Sequence, residues 1–164
     1  MTVKNTPAKV RINNVDTIVE LDAIEILTNK TLTLPVINGI KESWTVSASA
    51  IVTAPTLNVS SGTAFLYPVV TTIGWTPNFT SVNTSLAVGQ SITVAVVVNV
   101  ANSSHYSSQI QIDSGLAFTP NWQGGVVPGA ASGSAGAYDA YTYTIIKTAN
   151  ATFTVFASKT KFDT

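Results

Sequence analysis

Ser91-Ile-Thr-Val-Ala-Val-Val-Val-Asn-Val-Ala101 is the stretch on which the fold turns. Ile92, Val94, Val96, Val98 and Val100 share one face of an extended chain, and Ala95 and Val97 occupy the other. β-Branched residues at period two suit a pleated backbone and lose rotamer freedom in a helix. The expectation is a central strand, apolar on both faces and buried on both.

The flanking sequence extends this pattern. Trp44 to Val52 alternates apolar and hydroxyl residues, as a strand with one solvated face does. Ala64 to Thr72 is apolar on both faces but contains Pro68, which predicts an edge strand or a bulge. Tyr106 to Ile112 and Leu116 to Trp122 flank a turn at Asp113-Ser114-Gly115. Tyr138 to Ile146 and Ala151 to Ser158 form a last pair, joined through Lys147-Thr148-Ala149-Asn150 as a hairpin. Many short strands with turn residues between them predict an all-β fold, an antiparallel β-sandwich or jelly roll.

Charge divides the chain into two parts. The seventy residues from Ser43 to Ile112 contain no Lys, Arg, Asp or Glu, and their one imidazole is His105. The first 42 residues hold ten of the sixteen formal charges, with scattered apolar residues that do not build a core by themselves. We expect an extended N-terminal arm over 1–42 and a β-sandwich domain over 43–164. Val15, Ile18, Val19, Leu21, Ile24, Ile26 and Leu27 are the arm's candidate anchor residues. Their spacing roughly fits a helical stripe over 15–27, while Val19, Leu21 and Ala23 fit a strand; without a clean cap, extended structure is the favoured reading.

Composition narrows the function classes. The chain is 45% apolar but only 10% charged, with a formal net charge of zero, against about 25% charged residues in an ordinary soluble domain. Nucleic-acid binding draws its affinity from clustered Lys and Arg, so it is not expected. Neutrality also removes the repulsion that keeps monomers apart, which favours a subunit of an assembly. There is no cysteine, hence no disulfide or thiolate metal site. The start of the chain lacks a secretory apolar core, and no run reaches the ~18 apolar residues of a membrane span. Synthesis in a cytoplasm is therefore expected, with no membrane insertion, and the six Asn-x-Ser/Thr matches (Asn29, Asn58, Asn78, Asn83, Asn102, Asn150) read as unglycosylated.

Sites for chemistry are sparse. Asp16, Glu20, Asp22 and Glu25 are the one acidic cluster; without a Gly or an EF-hand spacing they read as a solvated face, not a metal site. His105 follows the central strand in a turn-like segment and has no nucleophile elbow to serve. Gly129 to Ala137 is glycine-rich, but it carries no Lys and leads into a strand, so it reads as a surface loop instead of a phosphate cradle. Glycoside hydrolysis needs two carboxylates astride a bond, and the C-terminal region offers Asp113, Asp139 and Asp163. No catalytic residues, cofactor or metal are assigned. Aromatic rings stack on sugar faces, so the tryptophans and tyrosines are either core and interface or a glycan platform. Trp75 and Trp122, beside Pro, Asn or Gly, are the glycan-contact candidates.

Two stretches resemble proteins of tailed bacteriophages. Leu27-Thr-Asn-Lys-Thr-Leu-Thr-Leu-Pro-Val-Ile-Asn38 resembles a motif recurring in their fibre and appendage proteins. Asn83-Thr-Ser-Leu-Ala-Val-Gly-Gln-Ser-Ile-Thr-Val94, Trp122-Gln-Gly-Gly125 with Pro128, and Tyr138 to Phe162 follow in order. Together they are similar to a β-rich C-terminal domain of virion structural proteins of marine phages, notably those infecting cyanobacteria. The resemblance implies a non-enzymatic virion component, a homotrimer on the particle exterior that contacts other capsid or tail proteins. The chain has one copy of the short motif and no long shaft, which implies a compact appendage: a capsid decoration or knob, or a short tail-fibre or adaptor component. The competing expectation is a receptor-binding adhesin for host surface polysaccharide.

Overall fold

The structure, a computed structural model, describes residues 11–12, 15–16, 41–131 and 136–162. The chain divides into two units, Met1–Ile40 and Lys41–Thr164. In the first, β1 (Arg11–Ile12) pairs antiparallel with β2 (Val15–Asp16), Arg11 opposite Asp16 and Ile12 opposite Val15. Of the anchor candidates, Ile18, Val19, Leu21, Ile24, Ile26 and Leu27 lie outside the described residues, as do Glu20, Asp22 and Glu25.

The second unit contains β3 (Thr45–Val46), β4 (Thr56–Asn58), β5 (Ala64–Thr71), β6 (Asn78–Thr80), a single helical turn α1 (Val82–Ser85) and β7 (Ser91–Val100). After these come β8 (Gln111–Ile112), β9 (Asn121–Trp122), a 3₁₀ turn at Gln123–Gly125, β10 (Ala137–Ala149) and β11 (Thr152–Phe162). The unit is predominantly β. Six strands form one sheet in the order β3-β5-β7-β10-β11-β9, and β4-β6-β8 form a second. The expected antiparallel architecture is corrected in one respect. Only β7–β10 and β10–β11 in these sheets are antiparallel; β3–β5, β5–β7, β9–β11 and both pairs of the small sheet are parallel. Parallel neighbours need crossover connections, and here the small sheet's strands supply them: β6 and α1 lie between β5 and β7 in sequence.

Register puts the apolar residues where they pack. Val94, Val96, Val98 and Val100 of β7 are fully buried on the inner face. They pair with Tyr143, Tyr141, Asp139 and Ala137 of β10, in that order. Leu57, Phe79 and Ile112 stand at one register level of the small sheet and are all buried. Phe79 meets Tyr143 across the core at 5.1 Å between ring centroids. The expectation that β7 is buried on both faces holds for one: on the other, Thr93 is exposed and Ala95 and Val97 are half-buried.

Pro68 produces the bulge form of its expectation, with the register slipping between Tyr67 and Thr71. The strand is internal, between β3 and β7. Proline has no N–H for the ladder, and its freed carbonyl accepts from Asn99 Nδ2 at 3.0 Å. Three expected strands are much shorter than their patterns; Leu116 to Trp122 keeps only β9 and an isolated antiparallel bridge from Phe118 to Ile110. After β3, the Ser47 hydroxyl donates to Ser49 O (2.9 Å) and accepts from Ser49 N (3.2 Å), which turns the chain away. Before β8, the Ser107 hydroxyl donates to Gln109 O at 3.0 Å, with the same effect.

Candidate functional site

The ionisable groups of the β unit were the sequence's best guide to chemistry, and the structure shows how they are used. Asp113 follows β8 in a turn closed by Gly115 N donating to Ile112 O at 2.9 Å. Asp113 and Ser114 both have positive φ, 47° and 63°, the geometry of a mirror-image hairpin turn. That conformation carries the Asp113 carboxylate to the start of α1, where Oδ1 accepts from Val82 N (3.1 Å) and Oδ2 from Asn83 N (2.8 Å). Ser81, at the cap position, makes no side-chain cap bond, so a residue distant in sequence does its work.

Lys147 serves the other end of the same turn. Its side chain points inward from β10, and Nζ donates to Asn83 O (2.7 Å) and Leu86 O (2.9 Å). Asn83 also ties α1 to the β10–β11 turn, donating to Asn150 Oδ1 at 3.2 Å and accepting from Ala151 N at 2.9 Å. Asp139 and Lys159 form a buried ion pair at the opposite end of the sheet, 3.2 Å between Nζ and Oδ2. The Lys159 ammonium also donates to Ala130 O and lies 5.8 Å from the centroid of the Tyr141 ring. Burial pushes it below the ordinary lysine value, and Asp139 offsets part of that.

Trp75 and Trp122 require a correction as glycan-contact candidates. They are 3% and 7% exposed. Trp75 packs edge-on against Tyr141 at 5.0 Å; Trp122 packs edge-on against Tyr141 (6.4 Å) and Tyr143 (6.1 Å). Trp122 Nε1 donates to Ser108 O at 3.2 Å. The neighbouring Pro, Asn and Gly place both residues near strand ends as expected, but those ends converge on the aromatic core. Two buried phenols complete the cluster, stacked at 6.3 Å. Tyr141 Oη accepts from Ser107 N at 3.2 Å. Burial raises both phenols far above the usual tyrosine range.

Two grooves open beside Trp122 and share Gln123 and Ser158 in their walls. One, about 430 Å³, is bounded by Asn121, Thr142, Thr144 and the half-exposed ring of Phe156. The other, about 370 Å³, runs between Val126–Ala130 and the Lys159 and Lys161 side of β11. Phe156 is the aromatic residue that sequence reasoning missed. Its partner in register, Thr144, is an outward residue of β10, so strand parity was the signal that distinguished it from the buried rings.

His105 lies in the loop after β7, half-buried, its backbone N–H donating to Asn102 O at 3.3 Å. Among the described residues, no three His, Asp or Glu side chains gather as metal ligands do. The glycine-rich stretch is pinned at its described ends: Ala131 N donates to Ser103 O (2.8 Å) and Gly136 N to Val100 O (3.2 Å). Compared with known proteins, the chain matches no family model, no curated relative and no solved structure.

Proposed function

We propose that this chain is a non-enzymatic structural protein of a bacteriophage virion: a compact exterior appendage, either a capsid decoration or knob or a short tail-fibre or adaptor component. It is made in the host cytoplasm and acts by assembling, as a homotrimer, with other virion proteins. The two sheets are the layers of a sandwich, and the first 42 residues are its anchoring arm. The phage attribution rests on the ordered motifs at 27–38, 83–94, 122–128 and 138–162.

One observation carries the non-enzymatic reading. General acid–base work needs a side chain free to exchange a proton with substrate, and Asp113, Lys147, Asp139 and Lys159 are all engaged inside the unit. Immunogold labelling of purified particles with antibody against residues 41–164 tests the proposal. Regular labelling of the exterior supports it; a chain confined to the lysate of infected cells overturns it.

The 430 Å³ groove favours a second reading, a host-polysaccharide adhesin. An exposed phenyl ring flanked by uncharged hydroxyls and amides is sugar-recognition chemistry. Binding of the purified protein to host polysaccharide, lost in Phe156→Ala, would select this reading.

A further inference from the structure

The six-stranded sheet turns one face to the core and one away, and strand register defines which residues lie on each. Val46, Leu66, Val97, Ala140, Thr142 and Phe156 lie on the outward face. Every charged residue of these strands has the opposite parity: Asp139 and Lys147 on β10, Lys159 and Lys161 on β11. Among the described residues, the outward face of the sheet therefore carries no charge at all. That inverts the ordinary pattern, in which charge marks the solvated side. The middle of the face is small and uncharged at Ala95, Thr142 and Ser158. Its flanks are apolar, with Val46 60% and Phe156 50% exposed.

We infer that this face packs against the same face of other copies of this chain, turned inward around the axis of the homotrimer; the inference rests on the assembly reading above. Symmetry brings each residue close to its own copies, so any charge near the axis meets its like. A charge-free face avoids that repulsion. The sheet edges suit self-association less well. The outermost strands β3 and β9 have two residues each, and β11, where it runs past β9, carries Lys159 and Lys161. Short edge strands and edge lysines both discourage strand addition.

The chain has no cysteine, so single cysteines report contacts without interference. The full-length protein is compared with Thr142→Cys at the centre of the face and Leu116→Cys, 93% exposed on a loop. Native mass spectrometry of the unmodified chain should give a trimer, and mild oxidation should link T142C but not L116C into covalent pairs. Ala140→Glu should lower the trimer fraction about tenfold or more, through like-charge juxtaposition, with an unchanged circular dichroism spectrum. A monomeric chain, a T142C thiol as reactive as that of L116C, or an A140E protein that stays trimeric overturns the inference. So does a monomer with a shielded T142C thiol, which would assign the face to the first forty residues. Particles that contain the chain while T142C stays free remove this interface and leave the virion reading standing. A linked trimer absent from particles does the reverse.

Discussion

Asp113 and Lys147 hold opposite ends of the same helical turn, the carboxylate accepting the N–H groups of Val82 and Asn83 and the ammonium donating to the carbonyls of Asn83 and Leu86. α1 has four residues, too few to be stable alone. Its free backbone groups are satisfied from β10 and from the turn after β8, so local order here is a product of tertiary structure. Asp113→Ala should therefore destabilise the protein by about 1–2 kcal/mol, and Asp113→Asn, which keeps one acceptor, by less. Urea denaturation with an unchanged m-value checks both.

Lys147→Met keeps the length of the side chain and removes its donors. Two carbonyls are then left facing an apolar group, at a cost of about 1–3 kcal/mol. The same change at the exposed Lys161 should fall within about 0.5 kcal/mol of the parent. Equal effects at the two positions would contradict the role given to Lys147.

The buried tyrosines predict alkaline sensitivity. Burial raises Tyr141 and Tyr143 above their ordinary 10.0. Above pH 10 the unfolded chain then releases protons that the folded chain keeps. The stability these phenols contribute is complete below pH 10 and declines as pH rises past it. Lys159 acts in the opposite sense: its value is lowered from 10.5, so the unfolded chain holds a proton the folded chain has lost, and stability rises through the window just below 10.5. Two phenols outweigh one amine whose shift Asp139 partly offsets. The denaturation midpoint should fall above pH 10, and fall less steeply in Tyr143→Phe. That variant should be nearly neutral at pH 7, because among the described residues the buried Tyr143 Oη makes no hydrogen bond and the nearby Ser107 hydroxyl is directed at Gln109 O.

Trp75→Ala should cost about 3–5 kcal/mol by opening a cavity beside Tyr141, whereas Phe156→Ala, half-exposed on the outward face of the single chain, should cost under about 1 kcal/mol. Both are compared in the Ala140→Glu background, where that face is open. Thermal denaturation of the two variants distinguishes a core ring from a surface one.

Periodicity made the long elements legible. Ser91–Val100, with β-branched residues at every second position, folds as β7, and the last hairpin is longer than its pattern suggested, Ala137–Ala149 with Thr152–Phe162. Lys147, Thr148 and Ala149, expected in the connecting loop, belong to β10, and Asn150 and Ala151 make the turn. The Asp113-Ser114-Gly115 turn was legible from its residue types. The small sheet was not, because Thr56–Asn58 and Asn78–Thr80 are three-residue strands that carry no periodicity and owe their pairing to neighbours far away in sequence. Parallel pairing escaped for the same reason: alternation gives the face a residue occupies and says nothing of strand direction. Trp75 and Trp122 were placed near strand ends by their neighbours, but burial of a strand end depends on what packs over it. The lone carboxylates and lysines were visible as residues; their partners, from Asp113 with Val82 to Lys159 with Asp139, are set by the fold alone.

A reconstruction of the virion at side-chain resolution tests the account most directly. It predicts the β unit in symmetric copies on the particle exterior, charge-free sheet faces turned toward one another and Asp113, Lys147, Asp139 and Lys159 still engaged internally. Particles whose density holds no copy of this unit would contradict it.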